Sequence, residues 1–517
     1  MKKNDIIKLD IIDITRDGLG LAKVSGQVFF VKDGILGDKV EAIITKIDKN
    51  IVYAKATKIL YKSKFRVDSI CDISNACGGC QLLNLNYEKQ IEIKKNYVLN
   101  CLKKIGSFKS IRVKDNDDCN ENNNPFDESL IYDGVVKTNN FYYYRNKMQI
   151  PFSKKNGKII FGFYAGRTHS IVEFNKCKVG FEGSNEILTA IKLALEEYNI
   201  SIYDEKTNTG IFREVMLRRG NNSKEVSITY IVNDKDYNKN LNLYEKFDSY
   251  VVEEYKKQYI KSCNCSNDTN YICKLVTSTL NINTNANNVI FGNKNIILRG
   301  TGYIEDKIRD IKYHISPESF YQVNSFMTEN LYDLIIEFAN FNGNENVMDL
   351  YCGIGTISLY ISKYVKSVLG IEIVEKAIEN AKENTVLNNI KNVRFLCKDL
   401  SSIGLNEQII LKNDNKSLKN VDFINIIDEN IVLKNESYDT IIVDPPRKGL
   451  DSDTIAFIKS IKPKKIIYVS CDPATLSRDL KLLCIDDRLY KIKRIKSVDM
   501  FPHTMHIETV CLLEDCI

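Results

Sequence analysis

Apolar strands and amphipathic helices alternate from about residue 313 to the end of this 517-residue chain. Such alternation is typical of a parallel sheet with helices on its faces, and it predicts an α/β domain over 311–517. Three of the predicted strands end in glycine, proline or polar residues, at 349–356, 442–450 and 469–476. Because the carboxyl ends of parallel strands meet at one edge of the sheet, we expect these segments to share a crevice.

The last of these segments places a cysteine at the end of a strand. The apolar run 465–469 is suited to a buried strand, and Asp472-Pro473 ends it directly after Cys471. A cysteine at this position is a candidate nucleophile if its thiolate is stabilised. A buried structural thiol is the alternative interpretation, and the two companion segments favour the nucleophile.

The first segment is a glycine turn between a strand and a helix. Gly353 and Gly355 follow the apolar strand 347–350, and glycines here allow the backbone to approach a ligand closely. About 20 residues later, a second apolar strand ends in Glu372, whose carboxylate can hold the two hydroxyls of a ribose. Ser358 stands where a dinucleotide fingerprint has its third glycine, so S-adenosylmethionine fits better than NAD. A tight turn with a surface glutamate is the alternative.

The middle segment, Asp444-Pro445-Pro446-Arg447, follows another apolar strand. Its prolines fix the backbone and withhold N–H groups, so carbonyl and carboxylate oxygens face the crevice. Methyltransferases that act on amino groups carry an aromatic residue where this chain has Arg447, which disfavours methylation of an exocyclic amine. A rigid turn at the end of the strand, without chemistry, is the alternative.

Near the C-terminus, Glu508 lies in an alternating apolar segment. A carboxylate with apolar neighbours has a raised pKa and can act as a general base. A metal site made of His503, His506 and Glu508 is the alternative, although no fourth ligand is evident in the sequence.

A second group of candidate ligands consists of cysteines. Cys71, Cys77 and Cys80 are closely spaced, and Cys177 is the natural fourth ligand. Four thiolates fit zinc or a [4Fe-4S] cluster equally well on spacing alone. The chain has 15 cysteines and no secretory signal, so we expect a cytosolic protein with reduced thiols. We interpret a further cysteine group as incidental: Cys263, Cys265 and Cys273.

The residues before the α/β domain divide into two regions. Residues 1–60 contain short strands with glycine turns, typical of a five-stranded barrel of the OB type, and residues 61–310 form a central region with the cysteines. A net charge of +6 is only mildly basic, so local basic clusters matter more than the total for binding nucleic acid. Flexible or irregular polar insertions rich in Asn are expected at about 113–140, 255–295 and 403–436.

Together, these motifs resemble the RNA uracil-5-methyltransferase family, in its iron–sulfur-containing 23S ribosomal RNA branch, over nearly the whole chain. The match rests on the segments around Asp444, Cys471 and Glu508, on the four cysteines, and on 144–147 and 319–324. The resemblance implies a C-terminal Rossmann-like class I methyltransferase domain, an N-terminal OB-like TRAM domain and a central α+β RNA-binding domain.

The resemblance also implies roles for single residues. Cys471 would be the nucleophile and Glu508 the base, with S-adenosylmethionine and a [4Fe-4S] cluster as cofactors. The residues that would bind S-adenosylmethionine are Gln322, Tyr351, Gly353, Gly355, Glu372, Asp399 and Asp444. The cluster ligands would be Cys71, Cys77, Cys80 and Cys177.

The expected reaction is methylation of C5 of uridine in RNA, with 23S rRNA as the first expectation, through a covalent adduct between cysteine and C6. The alternatives are a tRNA methyltransferase and a non-catalytic iron–sulfur RNA-binding protein. A cytosine-5 methyltransferase is disfavoured, because its nucleophile usually lies in a Pro-Cys or Thr-Cys-Ser setting. An NAD-dependent oxidoreductase is disfavoured by the incomplete glycine fingerprint. We expect a cytoplasmic monomer that has RNA as its partner and does not enter a membrane.

Overall fold

The computed structural model describes residues 1–114, 130–166, 168–263, 273–287, 289–400 and 437–516. Within these residues, the strands form three large sheets and one two-stranded hairpin. No helix in this part of the chain is both long and apolar enough to cross a membrane.

The N-terminal residues form a six-stranded sheet. Its strands are β1 (Ile6–Asp10), β2 (Asp13–Ile14), β3 (Gly20–Val24), β4 (Gln27–Lys32), β5 (Lys39–Asp48) and β6 (Ile51–Tyr61). They pair in the order β1-β5-β6-β4-β3-β2 around a core that includes Phe29, Val31 and Val40. The prediction of a five-stranded barrel is not confirmed. The short strand β2 adds a sixth strand, and within the described residues the edge strands β1 and β2 do not pair with each other.

The central region contains a seven-stranded sheet packed against two helices. Its elements are β9 (Lys147–Lys155), β10 (Lys158–Tyr164), β11 (Ile171–Glu173), α2 (Ser184–Glu197), β12 (Phe212–Arg219), β13 (Glu225–Val232), α3 (Leu241–Cys263), β14 (Lys274–Ile282) and β15 (Lys294–Arg299). The strand order is β11-β10-β9-β12-β13-β14-β15. A hairpin of β16 (Ile304–Ile308) and β17 (Ile311–Ile315) leads to the third sheet.

The third sheet has nine strands and carries the three segments singled out above. Its elements are α1 (Tyr87–Lys104), β7 (Ile111–Val113), β8 (Leu130–Val136), α4 (Ser325–Ala339), β18 (Asn346–Leu350), α5 (Thr356–Ile361), β19 (Ser367–Glu372), α6 (Glu375–Leu387), β20 (Val393–Cys397), β21 (Thr440–Val443), α7 (Ser452–Ile461), β22 (Lys465–Ser470), α8 (Pro473–Lys481), β23 (Tyr490–Val498) and β24 (Glu508–Asp515). The order is β20-β19-β18-β21-β22-β24-β23-β8-β7.

Continuous apolar runs make the central strands of this sheet. Ile441 and Ile466 belong to the core on one face, and their neighbours Ile442 and Ile467 belong to the core on the other. Successive residues of a strand point to opposite faces, so a strand covered on both sides is apolar throughout. This burial explains why the sequence shows runs here rather than alternation, and it confirms a mixed α/β fold.

The strand order reverses between β18 and β21, which lie side by side at the centre of the sheet. From β18 the chain moves outward to β19 and β20, and from β21 it moves outward to β22 in the opposite direction. A reversal of this kind opens a crevice at the carboxyl ends of the strands. The segments after β18, β21 and β22 all face this crevice.

Two of the expected polar insertions contain regular structure, and this part of the prediction was wrong. Within 113–140, β8 pairs in parallel with β23, and within 255–295 the strand β14 pairs with β13. In both cases a short apolar strand is flanked by residues rich in Asn and Asp, so the composition of the whole window conceals it. The expected insertion at 403–436 lies outside the described residues.

Candidate active site

The glycine turn after β18 adopts a backbone that requires glycine at one position. Gly355 has φ 78° and precedes the first residue of α5. A Cβ atom on Gly355 would lie 2.5 Å from Cζ of Phe395. Gly353 also has a positive φ of 55°, but no atom lies within 4 Å of the Cβ that it lacks, which leaves open space beside the turn. The turn is therefore closely packed on the side of the protein and open at Gly353.

The carboxylate of Glu372 lies against this turn at the end of β19. Its Oε2 accepts a hydrogen bond from the backbone N–H of Gly353 at 3.2 Å. Its Oε1 accepts from the N–H groups of Ile373 at 2.8 Å and Val374 at 3.0 Å. These bonds fix the carboxylate where the loops after two adjacent strands meet. The structure thus brings together Gly353 and Glu372, which the sequence had paired on spacing.

A second carboxylate, Asp349, lies beneath the turn and was not among the predicted site residues. Ser358 donates a hydrogen bond from Oγ to Asp349 Oδ2 at 2.5 Å. Oδ1 of Asp349 is buried and has no hydrogen-bond partner among the described residues. Burial raises the pKa of Asp349 to about 7. An acidic residue inside an otherwise apolar strand was the sequence signal that would have identified it.

Three further residues were predicted to bind the cofactor: Tyr351, Asp399 and Gln322. Tyr351 has φ 65°, and its hydroxyl is 2.9 Å from Oγ1 of Thr454. Burial raises the pKa of Tyr351. Asp399 is itself exposed. Gln322 is buried, and its backbone carbonyl accepts a hydrogen bond from Asn146 at 2.8 Å.

Cys471 and Glu508 lie at neighbouring positions on antiparallel strands. Ser470, the last residue of β22, pairs with Thr509 of β24. The next residue toward the crevice is Cys471 after β22 and Glu508 at the start of β24. Asp444 follows β21, the strand on the other side of β22. Asp444, Cys471 and Glu508 are far apart in the sequence. Pairing of the neighbouring strands β21, β22 and β24 places them at the same end of the sheet.

The charges of these three groups influence one another. Burial raises the pKa of Glu508 well above its ordinary value, and Asp444 raises it further. Burial also raises the pKa of Asp444 well above its ordinary value and that of Cys471 to about 12. Arg447 acts in the opposite direction on Cys471 and Glu508. The site therefore favours neutral acids and a neutral thiol until a cation or a substrate changes the balance.

The two histidines near Glu508 point to different partners. His503 Nδ1 is 3.2 Å from Nε2 of Gln90, and the ring is stacked on Tyr142 at 5.0 Å between centroids. His506 Nε2 is 3.4 Å from Nη2 of Arg447. Burial lowers the pKa of each histidine to about 4, so both are neutral near pH 7. The structure does not bring His503, His506 and Glu508 together as one metal site.

The four predicted ligand cysteines line one cavity of about 370 Å³ next to Arg145. Backbone N–H groups of Gly79 and Gly180 donate to two of the sulfur atoms, those of Cys77 and Cys177, each at 3.4 Å. Burial raises the pKa of Cys80 to about 12, and Arg145 acts against this shift. Across the described ranges, no three Cys, His, Asp or Glu side chains are grouped tightly enough to hold one metal ion.

A larger groove of about 620 Å³ lies between the N-terminal sheet and the loop before β24, from which Met505 and His506 line it. Phe30 and Tyr53 line it with their rings 5.7 Å apart, edge to face. Three cationic side chains line the same groove: Arg16, Lys32 and Lys46. Arg16 also forms an ion pair with Asp472, the residue after Cys471. Arg16 therefore joins the lining of the groove to the residue that follows Cys471.

A sequence model of the tRNA (uracil-5-)-methyltransferase family matches residues 258–516. A Bacillus cereus protein described as an uncharacterized RNA methyltransferase is 36% identical over 516 residues, which cover 99% of this chain and 97% of the relative. The chain belongs to the tRNA (uracil-5-)-methyltransferase family. A Clostridium acetobutylicum member with the same description is 35% identical over 514 residues, with 99% and 98% coverage.

A solved structure shows the same fold over nearly the whole length of this family member. The Pyrococcus abyssi tRNA (uracil-54, C5)-methyltransferase, crystallised with S-adenosyl-L-homocysteine, aligns with a TM-score of 0.66 and 24% identity. The alignment covers 98% of this chain and 99% of that one. Family membership supports the prediction of an RNA uracil-5-methyltransferase and leaves the class of RNA open.

Proposed function

We propose that the protein methylates C5 of uridine in RNA, with 23S rRNA as the substrate and S-adenosylmethionine as the methyl donor. The observation that carries this proposal is the position of Cys471 and Glu508, the next residues after the last pair, Ser470 and Thr509, of the antiparallel strands β22 and β24. A thiol and a carboxyl group are the two groups that methylation of a pyrimidine at C5 requires, one as nucleophile and one as base.

The residues at the crevice fit S-adenosylmethionine. Glu372 is placed to accept hydrogen bonds from ribose hydroxyls, and the open space beside Gly353 leaves room for a ligand against the backbone. Tyr351, Gln322, Asp399 and Asp444 would contribute further contacts, and Gly355 would hold the turn in shape. Two buried carboxylate oxygens at the crevice have no partner among the described residues: Asp349 Oδ1 and Glu508 Oε2. When bound, the cofactor supplies an electrophilic methyl group on a positively charged sulfur.

The chemical difficulty of the reaction is that C5 of uracil is a poor nucleophile. In the proposed mechanism the thiolate of Cys471 forms a bond to C6, and the electron pair of the C5–C6 double bond becomes an enolate centred on C5. This makes C5 able to accept a methyl group. Glu508 then takes the proton from C5. The C6–S bond breaks, its electrons return to sulfur, and the double bond forms again.

The electrostatics of the site determine when Cys471 can react. Burial and the neighbouring carboxyl groups disfavour the thiolate, whereas the guanidinium of Arg447 favours it. Holding Glu508 and Asp444 in their neutral forms reduces the repulsion that a thiolate would meet. Glu508 must lose its own proton before it can accept the proton from C5. Arg447 lowers the pKa of Glu508 as well, so the same cation assists both groups.

The groove beside the N-terminal sheet supports RNA as the substrate. It combines an aromatic pair, Phe30 and Tyr53, with the cations of Lys32 and Lys46. Aromatic rings stack on unpaired bases and lysines neutralise phosphates, which is how proteins hold single-stranded RNA. A uridine must leave its base stack to reach Cys471, so we expect the target in a loop or a remodelled element.

The cysteine cavity fits a [4Fe-4S] cluster with Cys71, Cys77, Cys80 and Cys177 as ligands. A cluster spreads its thiolates over four iron atoms, so its ligands need not meet around one ion. N–H groups donate to two of the sulfurs, and Arg145 supplies positive charge with a buried Nε that has no partner in the described residues. Methyl transfer needs no electron, so the proposed role of the cluster is structural. A cluster and the N-terminal sheet together support 23S rRNA as the substrate through the resemblance.

The decisive experiment maps 5-methyluridine by mass spectrometry in total RNA from cells with and without the gene. Loss of the modification at a position in 23S rRNA is the expected result. Loss in tRNA instead would retain the chemistry and change the substrate. Restoring the gene should restore the modification, and a Cys471→Ala copy should not. If the Cys471→Ala copy restores the modification fully, the mechanism is wrong.

The cluster is tested separately on anaerobically purified protein. Iron and sulfide content and visible absorbance should fall in Cys80→Ser and stay unchanged in Cys397→Ser, a control at an exposed cysteine outside the cavity. Protein that holds zinc in place of iron, or no metal in either variant, would contradict this part of the proposal.

A further inference from the structure

The segment that leads to Glu508 is held at four consecutive backbone carbonyls. We call residues 499–507 the base loop, because they join β23 to β24 and end one residue before Glu508. Four consecutive backbone carbonyls of the base loop accept hydrogen bonds from groups outside it. The donors are Asn324 to Met500 O at 3.0 Å, Lys94 to Phe501 O at 2.9 Å, Tyr144 to Pro502 O at 3.0 Å and Leu82 N–H to His503 O at 2.8 Å.

Helix α1 provides most of the side chains in this arrangement. Lys94 Nζ is 2.5 Å from Asp499 Oδ1, and both side chains are fully buried. Tyr87 donates to the other oxygen of Asp499 at 2.8 Å. Gln90 contacts His503 twice, accepting from its N–H at 2.9 Å and lying 3.2 Å from Nδ1 of the ring. Residues 87, 90 and 94 follow one face of the helix, so a single surface holds the loop.

A buried ion pair is a weak source of stability. Removing two charges from water costs about as much as their attraction returns, and apolar residues of similar size often stabilise a fold equally well. The pair between Lys94 and Asp499 therefore needs a reason other than net stability. Its geometry suggests one, because Lys94 Nζ contacts both the first side chain of the base loop and the carbonyl of Phe501.

We propose that Lys94 is a positioning residue for Glu508: through Asp499 and the carbonyl of Phe501, it holds the base loop so that the Glu508 carboxyl group faces C5 of the bound uracil. This inference rests on the proposed function and adds a role for a helix that lies outside the sequence motifs of the site. It assigns Lys94 to one step, the removal of the C5 proton. Formation of the bond between Cys471 and C6 comes before this step in the proposed mechanism.

A misplaced base has a distinctive consequence. If Glu508 cannot reach C5, the methylated uracil stays bonded to Cys471, since the C6–S bond breaks only after the proton has left. If the methyl group of S-adenosylmethionine is radioactive, the label then stays with the protein on a denaturing gel. A general loss of folding would lower all activity, but it would not retain labelled RNA on the protein.

The test compares the parent with the double variant Lys94→Met, Asp499→Asn, which removes both charges together and leaves no unpaired buried ion. The substrate is total RNA from cells without the gene, and the methyl donor is labelled. The expected result is a fall in kcat on the order of 10- to 100-fold with KM for RNA unchanged, and labelled RNA bonded to the protein. Lys103→Met is the matched control, because Lys103 is an exposed lysine of the same helix.

Glu508→Gln separates failure of this inference from failure of the proposed function. Label on the Glu508→Gln protein but not on the double variant would overturn the role of Lys94. No label on Glu508→Gln would overturn the role of Glu508 itself. If the double variant does not fold, Tyr87→Phe decides, because it removes one hydrogen bond to Asp499 and leaves the ion pair. Retained label above the parent level supports the inference, and a parent level of label contradicts it.

Discussion

The two residues proposed to react, Cys471 and Glu508, are held in surroundings that favour their neutral forms. Cys471 and Glu508 both have a raised pKa, because burial penalises their charged states. Each must lose its proton to act in the proposed mechanism. Arg447 is the one cation that lowers the pKa of both groups in the described part of the site. The pH dependence of the rate should therefore report on Arg447.

We expect kcat/KM to rise with pH through the neutral range, because higher pH increases the ionised fractions of Cys471 and Glu508. Arg447→Gln should move this rise to higher pH, since removing the cation raises both pKa values further. Lys448→Gln is the control, an exposed cation at the next position. A pH–rate profile of each variant measures the effect. A profile of Arg447→Gln identical to that of the parent would contradict the assignment.

Asp349 makes the stability of the fold depend on pH in the opposite sense from an ordinary carboxylate. Burial raises its pKa from 3.8 to about 7, so the folded protein binds this proton more tightly than the unfolded chain does. The resulting stabilisation is complete below pH 3.8 and is lost as pH rises through about 7. Each pH unit in this window corresponds to about 1.4 kcal/mol, which gives roughly 4 kcal/mol in all.

Asp349→Asn should therefore gain stability relative to the parent as pH rises, because asparagine cannot ionise. We expect the two proteins to differ most at pH 8, by up to about 4 kcal/mol in the free energy of unfolding, and least at pH 5. Denaturant unfolding at both pH values measures this difference. Asp310→Asn, at an exposed position, should show no such trend. An equal difference at pH 5 and pH 8 would show that Asp349 is ionised in the fold.

At the scale of elements, the glycine turn after β18 shows how one backbone position controls the crevice. Gly355 combines a positive φ with close packing against Phe395. A side chain there would meet both backbone strain and a steric clash. Gly343 has φ 93° with no atom near its missing Cβ, so a side chain there meets backbone strain alone. Comparing substitutions at Gly355 and Gly343 therefore separates the effect of backbone strain from the effect of steric overlap.

Gly355→Ala should lose on the order of 2 to 5 kcal/mol of stability, from the left-handed backbone and from overpacking together. Gly343→Ala should lose about 1 to 2 kcal/mol, from the backbone alone. Affinity for S-adenosylmethionine should fall only in Gly355→Ala, since only that turn borders the crevice. Thermal unfolding and calorimetric titration give both quantities. Equal effects of the two substitutions would mean that the contact with Phe395 is easily relieved.

At the scale of the whole molecule, Arg16 links the N-terminal sheet to the nine-stranded sheet through its ion pair with Asp472, which follows β22. The pair between Arg16 and Asp472 is largely exposed on the arginine side, so it contributes little to stability. Its value is positional, because Asp472 also caps helix α8 directly after Cys471 by accepting from Ala474 N–H at 2.9 Å. In the proposed function, this ion pair would position the N-terminal sheet to present RNA to Cys471.

Lys32→Ala should weaken RNA binding and reduce the slope of log Kd against log salt by about 1, because one phosphate contact is lost. Lys58→Ala should change neither quantity, since Lys58 is exposed on the same sheet but does not line the groove. Affinity for S-adenosylmethionine should stay constant in both variants. Filter binding over a range of salt concentrations measures the slope. An effect of Lys58 equal to that of Lys32 would show that the groove has no special role.

The sequence by itself determined four central strands of the nine-stranded sheet, β18, β19, β21 and β22, and the residues that follow them. Apolar runs, glycines and prolines are local signals, so they placed Gly353, Glu372, Asp444 and Cys471 at strand ends without a structure. Local signals also failed where composition hid them, as for β8 and β14. A five-stranded barrel was expected where a six-stranded sheet forms, because the spacing of turns in the sequence does not determine which strands pair.

Only the tertiary structure decided which distant residues meet. The pairing of β22 with β24 brings Cys471 to Glu508, and packing of α1 on the base loop brings Lys94 to Asp499. Both contacts join positions far apart in the chain, and they form because sheet order and helix packing minimise exposed apolar surface over the whole molecule. Burial that results from this packing also sets the pKa of Asp349 and Glu508. The residue types can thus be recognised in the sequence, whereas their charge states and mutual positions follow from the fold.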